Sequence, residues 1–330
     1  MTNKGRNLML GSGILLLLGF LAHVGLGSSN SVSVSELIAE LLKGPQEGSV
    51  IVWQFRIPRA IQCVLTGAIL GTTGSVFQSL FRNPLAEPYI VGTASGAAVG
   101  GALVTAFGFS AFAFGLAMPV AGFFSGLLSL WVVMRLATRR GTLETPTLLL
   151  AGVVAATLLS SLLSLIILAS GRDQGIVLRW MLGSESEAFW STIAVLTITF
   201  VCGFVLLYRL SRKLNALSLG EETARTVGVD LVRTRNSVLG IGTAMTAVLV
   251  GAVGIIGFVG LVAPHIARKL GGVDLRVSLP LSSLFGSLIV LFADAIAQRG
   301  GQGAGYPVGI VTAMIGAPVL LWLLKDKSNQ

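Results

Sequence analysis

Charge is what this sequence has least of. Its 23 basic and 14 acidic residues make up 11 % of 330, against about 25 % in soluble domains. That scarcity excludes an ordinary soluble enzyme. With 53 % hydrophobic residues and a mean hydropathy of +0.85, it also excludes a disordered chain. The two cysteines, Cys63 and Cys202, lie in apolar runs and offer neither a disulfide framework nor a metal cluster. The two histidines, His23 and His265, fall in different apolar segments with no carboxylate at ligand spacing, so both read as packed or interfacial. No Gly-x-x-x-x-Gly-Lys-Ser/Thr loop is present to cradle ATP. Carboxylates are missing from the apolar runs apart from Asp294, which weakens an ion-coupled carrier, since such carriers use polar groups inside the membrane. The lack of a His/Asp/Glu cluster likewise argues against an intramembrane enzyme. No catalytic residue, metal site or cofactor is expected.

What is present is apolar length. A membrane-spanning helix needs about 20 mostly apolar residues. Runs with little or no charge occur at Leu8–Leu26, Ala60–Phe81, Tyr89–Met134, Thr145–Ser170, Ala188–Tyr208, Asn236–Ala267, Val277–Ala293 and Tyr306–Leu324. Two are too long for one crossing. Tyr89–Met134 divides near Gly108–Gly115, and Asn236–Ala267 divides near Gly251–Gly260, which gives ten helices. The first run follows Lys4 and Arg6 as a signal peptide would, but no clear small-x-small cleavage site follows, so it reads as an uncleaved first helix. The fold class expected is an all-α polytopic membrane protein forming one domain over residues 1–330. Placing the N-terminus in the cytoplasm puts 17 of the 23 Lys and Arg residues on the inner side, and ten crossings return the C-terminus there too. The net charge of +9 is therefore a topology signal rather than a mark of nucleic-acid binding. Glycine is abundant, at 42 residues, and recurs four apart at Gly67/Gly71, Gly92/Gly96/Gly100, Gly122/Gly126 and Gly305/Gly309, a spacing that lets helices approach closely.

The longest internal hydrophilic segment is Arg209–Arg235, on the inner side. Glu221 and Glu222 follow Leu219-Gly220 where acidic residues suit a helix start, Arg225 lies four residues after Glu221, and Gly228 is placed to end the helix. A short capped helix, a turn and a second short helix would make a protruding knob; a solvated loop is the alternative. On the outer side, Arg56-Ile57-Pro58-Arg59 opens the second helix with proline in its first turn, and Arg299 ends another. Interfacial snorkelling is the simpler reading of these arginines.

Five motifs carry a resemblance: Arg56-Ile57-Pro58-Arg59; Phe81-Arg82-Asn83-Pro84-Leu85-Ala86-Glu87-Pro88; Leu217-Ser218-Leu219-Gly220-Glu221-Glu222; Gly257-Phe258-Val259-Gly260-Leu261-Val262-Ala263-Pro264-His265; and Pro307-Val308-Gly309-Ile310-Val311-Thr312-Ala313. In this order the chain resembles the FecCD permease family from about residue 50 to residue 324. That family forms the membrane subunits of type II ABC importers for iron-siderophores, haem and cobalamin. The resemblance implies a ten-helix permease without enzymatic activity of its own, in the cytoplasmic membrane of a bacterium. It implies a homodimer with a pathway at the interface, two copies of an ABC ATPase, and a periplasmic or lipid-anchored substrate-binding protein, all set among membrane lipid. By the same resemblance, Leu217, Leu219, Gly220, Glu221, Glu222, Arg225 and Gly228 couple to the ATPase, and Asn83, Leu85, Glu144 and Thr145 narrow the cytoplasmic gate. Arg56, Arg59 and Arg299 receive the binding protein. An iron-siderophore is the expected cargo, with haem and cobalamin also accommodated. One departure stands out: Gly305-Tyr306-Pro307 replaces the family's Glu-Leu-Pro, which removes a carboxylate at the outer entrance of the last helix.

Overall fold

The computed structural model describes residues 3–25, 44, 51–109, 116–139, 142–143, 145–171, 174–185, 188–300 and 305–328. Its elements in chain order are α1 (Asn3–Gly25), a π-helical turn (Val52–Arg56) running into α2 (Ile57–Leu80), α3 (Thr93–Ala106), α4 (Ala117–Ala137), α5 (Thr145–Ala169), α6 (Gln174–Met181), α7 (Trp190–Ser218), α8 (Glu221–Thr226), α9 (Leu231–Val253), α10 (Val259–Gly271), α11 (Leu275–Arg299) and α12 (Val308–Ser328). Among the described residues the only strands are a two-residue antiparallel ribbon, Thr138–Arg139 (β1) against Thr142–Leu143 (β2).

Among the described residues, seven helices are long and apolar enough to cross a membrane: α1, α2 with its π turn, α4, α5, α7, α9 and α11. The helix α3 is apolar but has only 14 residues, α10 has 13, and α12 is apolar over Val308–Leu321. Hydropathy does not foresee this difference in length. The two long runs do divide at the expected glycine-rich places, but residues 87–92 and 254–258 enter the bundle as irregular backbone rather than as helix. The inner segment also differs from the expectation. Residues 209–218 all extend α7, and no second short helix follows α8. Leu231 instead opens the 23-residue α9, where the Asp230 carboxylate caps the helix by accepting from the Arg233 N–H at 2.9 Å.

Burial ranks the helices. Within the apolar window, 89 % of the α2 region, 67 % of α9 and 56 % of α11 lies inside the protein, against 17 % of α1, 17 % of α5 and 22 % of α7. The second helix is therefore the centre of the bundle, while α5 and α7 keep most of their surface for lipid or for another subunit. Lipid tails are as apolar as leucine, so close contact rather than water exclusion joins such helices. The glycine spacing provides it. A Cβ added at Gly67 would lie 2.1 Å from the Gly286 carbonyl oxygen, and one at Gly71 would lie 2.0 Å from that of Ser282, so α2 and α11 touch backbone to backbone.

Candidate functional site

The exposed side of α5 lines a groove of about 800 Å³, closed at its other walls by α6, α12 and the break between α9 and α10. Its lining includes Ser95, Ser160, Ser164, Met181, Ile255, Gly257, Gly309 and Met314, and none of its lining residues is charged. A second hollow of about 510 Å³, lined by Tyr89, Ile90, Thr157, Ser161 and others, shares Ser160 and Ser164 with the first. The two form one continuous wall. Its hydroxyls donate to their own helix: Thr157 Oγ1 to the Val153 carbonyl at 3.0 Å, Ser161 Oγ to Thr157 at 3.0 Å, and Ser164 Oγ to Ser160 at 2.9 Å. The donors are occupied while the oxygen lone pairs stay available, which makes a wall that is weakly polar and uncharged.

Irregular backbone inside a membrane protein is tolerated only where other groups satisfy it. Two of the sequence motifs meet here for that purpose. The Glu87 carboxylate accepts from the Phe258 N–H at 2.9 Å, and the Tyr89 hydroxyl donates to the Ile256 carbonyl at 2.8 Å. Phe258 adopts φ +66°, a left-handed conformation that costs a bulky residue about 1–2 kcal/mol, and Glu87 holds it there. Glu87→Ala is expected to destabilise the protein by about 1–3 kcal/mol, because it leaves the Phe258 donor unsatisfied. A change in thermal midpoint in detergent no larger than that of an exposed substitution such as Glu222→Ala would count against this pairing.

The arginines placed outside by sequence have different settings. Arg56 is buried, and its Nη1 donates to the Val24 and Gly25 carbonyls at 3.1 and 3.3 Å, so it caps the end of α1. Arg59 forks onto Asp294, Nε to Oδ2 at 2.9 Å and Nη2 to Oδ1 at 2.8 Å. Asp294 is fully buried and also meets His23 Nε2 at 2.8 Å and Gln298 Nε2 at 2.7 Å. Arg299 ends α11, exposed. Sequence spacing could not show that His23 has a carboxylate partner, because 271 residues separate the pair. Nor could it show Glu185, which lies fully buried in the loop between α6 and α7 beside Gln62 and Thr66 of α2, with burial pushing its carboxyl up to about 7. In the departing segment, Gly305 takes φ +66° and its carbonyl accepts from Arg179 at 3.3 Å.

At the opposite end, α8 is held by a small core of Leu217, Ala224 and Leu231. Leu217 therefore supports the knob from inside, while Leu219 at 76 % exposure and Val227 at 65 % project from it. Gly220 begins α8 at φ +134° and Gly228 follows it at φ +77°, both conformations that favour glycine. Arg235 pairs with Glu221 at 2.9 Å; Glu222 and Arg225 are exposed. Asn215, near the end of α7, donates from Nδ2 to Asp274 at 2.7 Å and accepts from the Leu275 N–H at 3.0 Å, tying the base of the knob to the start of α11. The Arg276 guanidinium beside Asp274 holds that carboxyl down at about 2. Of the residues expected at the gate, the Asn83 side-chain oxygen Oδ1 accepts from the Leu85 N–H at 2.9 Å in a turn that leaves Leu85 exposed. Thr145 opens α5, and Glu144 lies outside the described residues.

A bundle of this kind, with an uncharged groove along an unburied helix and a knob at one end that exposes Leu219 and Val227, defines a multi-pass membrane transport subunit. The FecCD transport family model matches residues 15–326, and the chain belongs to that family. It is 39 % identical over 283 residues to the cobalamin import system permease protein BtuC of Halobacterium salinarum, covering 86 % of this chain and 75 % of that one. To the vitamin B12 import system permease protein BtuC of Salmonella paratyphi A it is 38 % identical over 278 residues, covering 84 % of each. A solved inward-facing structure described as being of metal-chelate type among ABC transporters superposes with a TM-score of 0.85 at 30 % identity, covering 97 % of this chain and 99 % of the other. The protein is a membrane-integral permease subunit of an ABC importer, a family that works with a separate ATPase and a substrate-binding partner.

Proposed function

We propose that this permease carries a large, neutral metal chelate, a cobalamin-type corrinoid ahead of the iron-siderophore expected from sequence, between two copies of itself. The observation that carries this reading is the uncharged groove on the α5–α12 side, because a bulky chelate crosses a low-dielectric region most readily along walls that hold no fixed charge. The cobalamin permeases among its relatives support the choice of cargo. In this reading ten helices cross the cytoplasmic membrane of a bacterium with both termini inside. The helices α3, α10 and α12 complete the count. Two ATPases seat on Leu219, Gly220, Glu221, Glu222, Arg225 and Gly228, with Leu217 supporting them from beneath. Asn83, Leu85, Glu144 and Thr145 narrow the inner end where the copies meet. Arg56, Arg59 and Arg299 frame the surface that receives the binding protein.

Nucleotide and docked binding protein then bias an equilibrium between inward-open and outward-open states, and the permease itself makes and breaks no covalent bonds. The test is uptake into proteoliposomes holding the permease and its ATPase, with binding protein supplied outside. ATP inside is expected to drive accumulation of cyanocobalamin, and cysteines introduced at Leu85 in both copies are expected to crosslink in at least one nucleotide state. Accumulation of a ferric siderophore but not of the corrinoid would reverse the cargo assignment. Accumulation without ATP would favour an ion-coupled carrier or channel.

A further inference from the structure

The helices α7 and α9 leave a groove of about 420 Å³ between them, lined by the apolar Leu206, Leu210 and Ile241 and by the cations Arg209, Lys213 and Arg233. Along α7 the cations Arg209 and Lys213 interleave with Leu206 and Leu210, while on α9 Arg233 lies near the start and Ile241 about two turns further along. The groove also continues a face of α7 that has no protein cover: Ile198, Val201, Val205 and Leu206 are all exposed. Ile198, Val201 and Val205 recur three to four residues apart and Arg209 follows four residues later, so one stripe turns from apolar to basic, with Leu206 beside it. Among the described residues no carboxylate pairs with the side chain of Arg209, Lys213 or Arg233: Asp230 accepts only from the Arg233 backbone N–H, and the nearby Glu221 is engaged by Arg235. Three like charges converging on one hollow repel one another unless an anion sits between them.

We infer that this groove binds one anionic phospholipid, its phosphate held by Arg209, Lys213 and Arg233 and an acyl chain lying along Leu206, Leu210 and Ile241. The polarity of the lining favours a lipid over a free anion, since only an amphiphile satisfies both kinds of residue. Basic pockets between spanning helices at a membrane face are suited to anionic headgroups. The inference rests on α7 and α9 crossing the membrane and is independent of which cargo the permease carries.

The test titrates delipidated, detergent-solubilised permease with dioleoyl-phosphatidylglycerol, dioleoyl-phosphatidylcholine and inorganic phosphate, and follows bound lipid by native mass spectrometry. The wild type is expected to prefer the glycerol lipid at least tenfold, with millimolar phosphate failing to displace it. Each cation near a membrane surface changes affinity for an anionic lipid about fivefold, so the triple variant Arg209→Gln, Lys213→Gln, Arg233→Gln is expected to lose about a hundredfold. These side chains project outward, and an unchanged thermal midpoint checks that the variant is folded. A control triple at exposed basic residues outside the groove, Arg6→Gln, Arg82→Gln, Arg135→Gln, is expected to keep the preference within twofold. Equal losses in both triples would reduce the effect to general surface charge and overturn the site. Displacement of the lipid by inorganic phosphate would overturn it in favour of a simple anion site. Unchanged lipid binding in the groove triple, with weakened association of the ATPase, would reassign the groove to that partner.

Discussion

Leu219→Glu is expected to abolish most ATP-driven uptake while leaving the permease folded. The side chain is 76 % exposed at the tip of a knob whose own core, Leu217, Ala224 and Leu231, lies beneath it. The substitution therefore breaks no internal contact, and the thermal midpoint of the isolated permease should not move. A central apolar anchor in a protein interface contributes about 2 kcal/mol or more, roughly a thirtyfold loss of affinity for the ATPase. Replacing Gly220 as well, with arginine, adds strain, because φ +134° favours glycine. Unaltered uptake and unaltered co-purification of the ATPase with the Leu219→Glu protein would remove the knob from the coupling path.

The second large effect is expected at Asp294. Its buried carboxylate serves Arg59, His23 and Gln298 together, so Asp294→Ala removes the acceptor for all three. Removing one partner of a buried ion pair costs about 3–5 kcal/mol. The lower part of that range applies here, since the Arg59 side chain keeps 22 % exposure and can reach water. The double variant Arg59→Met, Asp294→Leu carries neither charge and is expected to recover most of the loss. A cost below about 1 kcal/mol for Asp294→Ala, read as the shift in thermal unfolding, would show that the cluster does not anchor α1, α2 and α11. The same geometry governs how docking can be tested. Arg59→Glu would set a carboxylate against Asp294, so impaired uptake there reports stability as well as docking. Arg299 is exposed and makes no ion pair among the described residues, so Arg299→Glu is the cleaner probe of binding-protein association.

Much of the bundle is legible in the sequence because its determinants are local. Long uncharged runs mark the spans. The Gly67/Gly71 spacing marks the α2–α11 crossing, and Gly220 and Gly228 bracket α8. What is not legible depends on partners far apart in the chain. Hydropathy cannot distinguish a buried helix from buried irregular backbone, so the shortness of α3 and α10 is hidden until Glu87 and Phe258, 171 residues apart, are seen to meet. The docking role expected of Arg56 comes from the family resemblance alone. The burial of Arg56 follows from two carbonyls at the end of α1, more than thirty residues upstream. Charge content likewise ends α7 too early, since a helix continues past the apolar region when its residues are good helix formers and a cap lies beyond.

In the function proposed above, the uncharged face of α5 forms part of the transport pathway. The most direct measurement is uptake after labelling a cysteine placed at Ser160, which lines both hollows. Native Cys202 is exposed and must first be changed to serine, whereas Cys63 is buried. A bulky maleimide at residue 160 is expected to reduce ATP-driven uptake at least tenfold, and trapping the chelate in the permease should slow the labelling. Complete labelling with uptake unchanged would contradict the account and place the pathway elsewhere in the bundle.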